Sequence, residues 1–194
     1  MRLLGLASVL VVLHGMGCGL AEAQPRGSRT IPVLVLCYDP VLRSQGGVRL
    51  SQYMKWQDAR AMTTEVVRTL REVSGGYLNY RVAEYKVVDA FPVKRDGFRN
   101  DEKSYLDIWD DSDKAHQPET VSYAAIFREH GIVERVRKGE IAEVWLWGAP
   151  YFGWDEYAMK IPGDLIYYQT ENPWFYRPYD IPDCGRTVWV MGWN

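Results

Sequence analysis

The chain has 194 residues, of which 47% are hydrophobic and 25% are charged, and its formal net charge is −2 at pH 7. This length is enough for one domain with a substantial core. The near-balance of charge and the lack of a basic stripe argue against a protein that binds nucleic acid by neutralising phosphates.

Residues 1–23 have the pattern of a signal peptide. An apolar run follows Arg2, is too short to span a bilayer comfortably, and leads to an A-x-A cleavage pattern at residues 21–23. We therefore expect a secreted or periplasmic protein with no transmembrane segment in the mature chain. Cys18 leaves open the alternative of a lipoprotein that is anchored through this cysteine.

The mature chain begins with a polar stretch, residues 24–30, which we expect to be a linker to a single domain over residues 31–194. The run IPVLVLCYDP at residues 31–40 is continuously apolar and β-branched, which predicts a strand that is covered on both faces. Asp58 is a suitable N-cap for a helix that ends at Gly75-Gly76. The apolar face of this helix comprises Met62, Val66, Leu70 and Val73.

The remaining segments continue the alternation of strands and helices. Residues 77–92 predict a strand, and residues 94–120 form a long polar excursion with a turn at Asp96-Gly97. A helix over 121–139 and a strand over 141–148 follow. After these come an aromatic loop over 149–159, an irregular run over 161–182 and a final strand over 184–194.

This order predicts an α/β fold with a mainly parallel sheet and helices on both faces, a three-layer arrangement. A parallel domain that ends on a strand normally has a helix still to come, so we expect the fold to be incomplete at its C terminus. Ligands of such sheets bind outside the carboxyl ends of the strands. The loops at those ends begin at Tyr38-Asp39, at Gly148 and after Gly192.

Acidic residues in these loops are candidates for catalysis. Glu156, held among aromatic rings, would have the raised pKa of a general acid, and Asp39 or Asp96 would supply the second carboxylate of a glycosidase-like pair. Structural alternatives remain for two of them. Glu156 could anchor its loop by hydrogen bonds, and Asp39 could start a turn before Pro40.

The loop after residue 148 is also crowded with aromatic residues. They either pack as core or form a platform for sugar rings or other flat ligands. Trp145 and Trp147 alternate along a strand and are expected to fill space on one face of the sheet. The candidate ligand-binding residues are Tyr151, Phe152, Trp154 and Trp174.

Neither a metal site nor a specific cofactor is indicated. The sequence has no H-E-x-x-H and no C-x-x-C, and the acidic cluster between Asp107 and Asp113 lacks the glycine and glutamate of a calcium loop, so a solvated loop is expected there. Cys37 and Cys184 would lie at opposite ends of parallel strands, about 20 Å apart, which predicts that they form no disulfide.

Several segments in ordered succession resemble an uncharacterised family of secreted bacterial and related proteins. These segments cover most of residues 31–194, and the resemblance implies fold boundaries and candidate site positions but no reaction. Asp155-Glu156-Tyr157 departs from the family's aromatic-Glu-Ser pattern. The matching segments are Tyr38-Asp39-Pro40, Trp56-Gln57-Asp58, Ser74-Gly75-Gly76, Phe91-Pro92, Asp96-Gly97-Phe98, Glu143-Val144-Trp145, the run Gly148, Pro150, Tyr151, Gly153, Glu156 and Met159, and the tail Val190-Met191-Gly192-Trp193-Asn194.

Three functional hypotheses follow. The favoured one is an exported hydrolase that acts on a carbohydrate or cell-wall-type substrate. The alternatives are a non-catalytic module that binds a glycan or small molecule, and a structural envelope protein whose aromatic residues are all core.

Overall fold

A computed structural model describes residues 27–163 and 179–194. Residues 1–23, Cys18 and Trp174 lie outside this part of the chain. A five-stranded sheet has the order β4-β1-β5-β7-β6, and β2 and β3 form a separate two-stranded pair. The strands are β1 (Arg29–Tyr38), β2 (Val41–Leu42), β3 (Val48–Arg49), β4 (Leu78–Val88), β5 (Glu143–Trp147), β6 (Tyr157–Lys160) and β7 (Val188–Trp193).

Helices connect these strands along the chain. They are α1 (Leu50–Tyr53), α2 (Ala59–Val73), α3 (Glu102–Asp110), α4 (Tyr123–Glu129) and α5 (Ile132–Arg137). Strands β4, β1, β5 and β7 are parallel, and β6 pairs antiparallel with β7 at one edge. The predicted α/β fold with a mainly parallel sheet is therefore confirmed.

The two faces of β1 belong to separate hydrophobic clusters. Leu34 and Leu36 pack with α3, α4 and α5, whereas Val33 and Val35 pack with α2. Alternate residues of a strand point to opposite faces, so a continuous apolar run is what a doubly covered strand requires. The sheet is thus the middle of three layers, as predicted.

The largest difference from the sequence prediction is α3, which lies within the excursion expected to be irregular. Asp101 caps its N terminus by accepting a hydrogen bond from the Ser104 N–H at 2.7 Å. Tyr105 and Ile108 are then buried one turn apart. Asp107 belongs to this helix and forms an ion pair with Lys103, so the expected solvated acidic loop is partly helical.

Smaller differences concern the ends of elements. Strand β1 begins at Arg29, inside the expected linker, and the predicted helix over 121–139 is interrupted at Gly131, whose φ is 60°. Val73 is 76% exposed, so the apolar face of α2 ends one turn earlier than predicted. Asp58 does cap α2, by accepting from the Arg60 N–H at 2.8 Å.

Cys37 and Cys184 are both buried and free. They lie in the two different hydrophobic clusters, on opposite faces of the sheet. The prediction that they form no disulfide is confirmed. No helix within residues 27–163 and 179–194 is long and apolar enough to cross a membrane.

Candidate functional site

The carboxyl ends of the parallel strands meet along one edge of the sheet. Cys37 on β1 is the register partner of Trp147 on β5, which in turn pairs with Trp193 on β7. After β1 the chain forms β4 on one side of β1 and then β5 on the other side. The crevice between β1 and β5 is therefore the point where the strand order reverses, the usual ligand site of an open α/β sheet.

A mainly apolar cavity of about 350 Å³ occupies this crevice. This volume is within the usual range for small-molecule sites. It is lined by the ends of β1, β5 and β7 and by the segment that leads into α2. The lining residues are Cys37, Tyr38, Asp39, Ser51, Trp56, Gln57, Ala59, Met62, Trp147, Gly148, Pro150 and Asn194.

A second cavity of about 430 Å³ continues from the first. The two cavities share residues at the end of β1 and at the start of α2, but the second has a more polar wall with several charged side chains. Its additional lining residues are Arg49, Gln52, Lys55, Asp58, Arg60, Tyr85 and Val87.

Asp39 is the predicted site residue that lies in both cavity walls, and it is 8% exposed. Its two carboxylate oxygens accept hydrogen bonds from Ser51, one from the backbone N–H at 2.9 Å and one from the hydroxyl at 2.7 Å. The Arg49 guanidinium donates to the Asp39 carbonyl oxygen at 2.7 Å. These contacts hold the carboxylate in a fixed orientation beside the cavities.

Cys37, next to Asp39 on β1, also lines both cavities. Burial raises the pKa of the thiol; a hydrogen bond with Tyr85 lowers it, and the Asp39 charge raises it further. The thiol is therefore protonated at neutral pH. A protonated thiol is a poor nucleophile, so this cysteine contributes an apolar surface to the cavity.

Trp147 lines the first cavity and carries a buried hydrogen-bond donor without a partner. The residue is 4% exposed, and its indole Nε1 has no hydrogen-bond partner among the described residues. A buried donor without a partner costs about 1–3 kcal/mol. Trp147 also stacks on Trp193 with ring centroids 5.1 Å apart, and both pack on the α2 side of the sheet as predicted.

A chain of three contacting aromatic rings starts in the wall of the first cavity and continues with two rings that line neither cavity. Trp56, in the cavity wall, is 6.1 Å from Trp109 between ring centroids, and Trp109 is 6.1 Å from Tyr151. Trp109 is 43% exposed. Tyr151, a predicted ligand-binding residue, follows Pro150 of the cavity wall. We call Trp56, Trp109 and Tyr151 the aromatic rim.

The other rings of the loop are core. Phe152 is fully buried and Trp154 is 5% exposed, and their ring centroids lie 5.4 Å apart. Trp154 also packs against Tyr38 at 5.7 Å. Of the two interpretations of the aromatic crowding, packing accounts for these two residues. Trp174, the fourth predicted ligand-binding residue, lies outside the described residues.

The backbone of this loop is anchored by a buried lysine. Lys94 is 2% exposed and donates to the carbonyl oxygens of Tyr151, at 2.6 Å, and Glu119, at 2.7 Å. Burial lowers the pKa of Lys94 to about 8, although the nearby acids Glu119 and Asp96 act in the opposite direction. The Tyr105 hydroxyl adds a hydrogen bond to the Pro150 carbonyl at 3.0 Å.

Glycines allow the same loop to fold tightly. Gly153 has a φ of 88°, and a Cβ there would overlap the Glu119 carbonyl oxygen. At Gly148 a Cβ would overlap the rings of Trp154 and Phe152. The only two non-glycine residues with positive φ in the described part of the chain, Lys55 at 59° and Tyr151 at 66°, also lie at the cavities or next to their walls. Such conformations are uncommon and recur at functional sites.

The other two predicted catalytic residues lie outside both cavity walls. Glu156 has an exposed side chain, so the expected enclosure among rings is wrong. The reason is that residues 157–160 form the antiparallel edge strand β6, and the Glu156 carbonyl accepts from the Gly192 N–H at 2.9 Å. At Glu156 the fold therefore fixes the backbone carbonyl and leaves the side chain exposed.

Asp96 lies in the predicted turn, where the Phe98 N–H donates to Asp96 Oδ1 at 3.0 Å. Its Oδ2 is 2.7 Å from His116 Nε2, and the His116 ring stacks on Phe98 with centroids 3.8 Å apart. The Phe98 N–H and then His116 hold the pKa of Asp96 below its usual value. A carboxylate with a lowered pKa is suited to anchoring a turn and unsuited to acting as a general acid.

Of the predicted site residues, Asp39 lies in both cavity walls and Tyr151 follows Pro150 of the first wall. Ser51, Trp56 and the cations of the second cavity were not predicted as site residues. The order of strands was a usable signal for Trp147, which ends β5 beside β1. No group of three or more His, Cys, Asp or Glu side chains in residues 27–163 and 179–194 could hold a metal ion.

In comparisons with known proteins, no protein-family model matches the chain, and neither a curated protein nor a solved structure matches it. The resemblance to a family of secreted proteins therefore stays a prediction.

Proposed function

We propose that this is an exported protein that binds a carbohydrate or a similarly flat small ligand in the first cavity. The observation that carries the proposal is the aromatic rim beside an apolar cavity at the strand-order reversal. Aromatic faces bind the apolar faces of rings, while a few polar groups fix the orientation of the ligand. Asp39, in both cavity walls, would supply such a polar group.

Rigidity of the site supports the same proposal. Lys94 and the Tyr105 hydroxyl hold the loop that carries Pro150 and Tyr151, and Ser51 holds Asp39. A site that is ordered before binding loses less conformational entropy when a ligand enters. This favours recognition of a defined ligand over a purely structural role.

The test is a titration with a panel of soluble mono- and oligosaccharides, followed by proton–nitrogen NMR of the tryptophan indole groups. We expect a saccharide to shift the Trp147 signal. Trp56→Ala should weaken that binding about tenfold or more. Trp189→Ala is the matched control, since Trp189 is 39% exposed but lines neither cavity. No response from any saccharide would refute a carbohydrate ligand.

A second candidate is the hydrolase that the sequence suggested, with Glu156 as general acid and Asp39 or Asp96 as its partner. Of these three carboxylates, Asp39 alone lies in the cavity walls. The position of Asp39 in the cavity walls favours Asp39 as the participating carboxylate. Chromogenic glycosides provide the assay. Loss of turnover in both Asp39→Asn and Glu156→Gln would support the pair, and unchanged turnover in Glu156→Gln would remove Glu156 from the mechanism.

Export is part of the proposal and rests on the sequence pattern of residues 1–23. Expression with the native N terminus, followed by mass spectrometry of the mature protein, should find Gln24 as the first residue. A mature protein that retains lipid on Cys18 would instead establish the lipoprotein alternative.

A further inference from the structure

We propose that the ligand carries an anionic group, a carboxylate or a phosphate, which Arg49, Lys55 and Arg60 bind in the second cavity. This inference rests on the proposed binding function and specifies its ligand class: a ring with an acidic substituent. The ring would lie in the first cavity, against Trp56 and Trp147.

The walls of the second cavity carry more cations than carboxylates. Arg49, Lys55 and Arg60 line the second cavity, and none of them forms an ion pair with a described residue. Two acids share the walls. Asp39 has both carboxylate oxygens occupied by Ser51, and Asp58 caps α2 through the Arg60 N–H. Three cations against two carboxylates leave the walls with an excess of positive charge.

Neutral groups hold two of these cations in place. The Arg60 guanidinium lies 4.0 Å from the centroid of the Tyr85 ring. Arg49 donates to the carbonyl oxygen of Asp39 at 2.7 Å. Both contacts orient a guanidinium without neutralising its charge. A guanidinium ordered in this way is prepared to donate paired hydrogen bonds to a carboxylate or phosphate.

The two cavities are continuous. Their walls share Cys37, Asp39, Ser51, Trp56, Gln57 and Ala59. A single ligand could therefore contact the apolar wall and the cations together.

The experiment compares four probes: glucose, glucuronate, glucose 6-phosphate and inorganic phosphate. Each is titrated into the wild-type protein, Arg60→Gln, Lys55→Gln and the control Arg71→Gln. Arg71 is exposed at the far end of α2 and lines neither cavity. Lys55 is exposed, so its replacement should leave the fold intact even where Arg60→Gln does not. Calorimetry gives affinity, and the Trp147 indole signal reports occupancy of the first cavity.

We expect at least one acidic sugar to bind the wild-type protein about tenfold more tightly than glucose. Arg60→Gln and Lys55→Gln should each remove most of this preference, and Arg71→Gln should behave as wild type. The preference should also weaken at high salt, because added ions screen exposed charges. Which acidic sugar binds more tightly distinguishes a carboxylate from a phosphate ligand.

The outcomes separate the two proposals. Equal affinities for glucose, glucuronate and glucose 6-phosphate would overturn the anion site but retain the carbohydrate site. Binding of inorganic phosphate that both cavity variants abolish, without binding of any sugar, would retain the anion site and refute the carbohydrate ligand. Absence of binding by all four probes would overturn the acidic-sugar ligand as a whole.

Discussion

The side-chain amine of Lys94 lies 2.6 Å from the carbonyl oxygen of Tyr151 and connects a buried cation to the loop that carries the aromatic rim. The same amine donates to Glu119, so a single side chain joins two segments that are distant in sequence. The position of the rim beside the cavity therefore depends on a residue that a ligand would not contact.

Replacement of Lys94 by methionine keeps most of the side-chain volume but leaves both carbonyl oxygens without this donor. Since a buried acceptor without a partner costs about 1–3 kcal/mol, the free energy of unfolding should fall by about 2–4 kcal/mol. Urea denaturation measures the change. Lys103→Met is the control, because Lys103 is exposed and its ion pair with Asp107 should contribute less than about 1 kcal/mol. Equal stabilities of the two variants would contradict the anchoring role.

The free energy of unfolding should depend on pH through the titration of Lys94. Its pKa of about 8 in the folded protein lies below the ordinary value of 10.5. Between these two pKa values the unfolded chain therefore binds more protons than the folded protein. The contribution of Lys94 to the free energy of unfolding rises with pH through this window. This contribution is lost as the pH falls through 8.

The difference in stability between wild type and Lys94→Met should consequently grow by about 2 kcal/mol from pH 7 to pH 9.5. Urea denaturation of both proteins across this range provides the measurement, and the difference cancels the tyrosines that titrate at higher pH. A difference that is constant with pH would show that Lys94 titrates at its ordinary pKa.

Gly153 should tolerate alanine poorly because two costs combine. Its φ of 88° disfavours any side chain, and the Glu119 carbonyl occupies the space of a Cβ. Gly97 is a matched control with a φ of 90° and nothing within 4 Å of its Cβ position. Gly97→Ala should cost about 1–2 kcal/mol, and Gly153→Ala should cost about 3 kcal/mol or more in thermal or urea unfolding. Equal costs would mean that the close approach at Gly153 has no energetic effect.

The two buried cysteines should be unreactive in the native protein. Burial raises the pKa of both thiols, so little thiolate is present at neutral pH. Alkylation followed by peptide mass spectrometry should label Cys37 and Cys184 slowly in buffer and rapidly in denaturant. Fast native labelling of Cys37 alone would show that its thiol is activated within the cavities and would assign it a chemical role.

The sheet was predictable because its evidence is local. The doubly apolar run of β1 and the alternation of helices and strands fix the layers without any knowledge of distant contacts. The position of Asp39 at the carboxyl edge of the sheet was predictable for the same reason, since this residue directly follows the end of β1. Helix α3 was missed because its buried side, Tyr105 and Ile108, is small, and its packing partners Phe91 and Phe152 come from other parts of the chain.

The environment of Glu156 was not predictable from its neighbours in sequence. Its exposure follows from the pairing of β6 with β7, in which Tyr157 lies opposite Met191. The cations of the second cavity were missed for a similar reason. Lys55 lies in the wall because its backbone is left-handed, a conformation that glycine or asparagine usually marks in a sequence. Arg60 lies on the polar side of α2, whereas the prediction for this helix depended on its apolar face.

The order of the strands also bears on how the chain reaches its native state. The residues of β1 are synthesised before those of the other strands. The partner of Cys37 in β5, Trp147, follows only 110 positions later in the chain. Sheets built from such distant pairings fold slowly, because the entropy of closing a long loop is lost before the contacts form. Under the export proposed from residues 1–23, late completion of the central sheet would keep the chain unfolded, and so competent for translocation, until most of it has crossed the membrane.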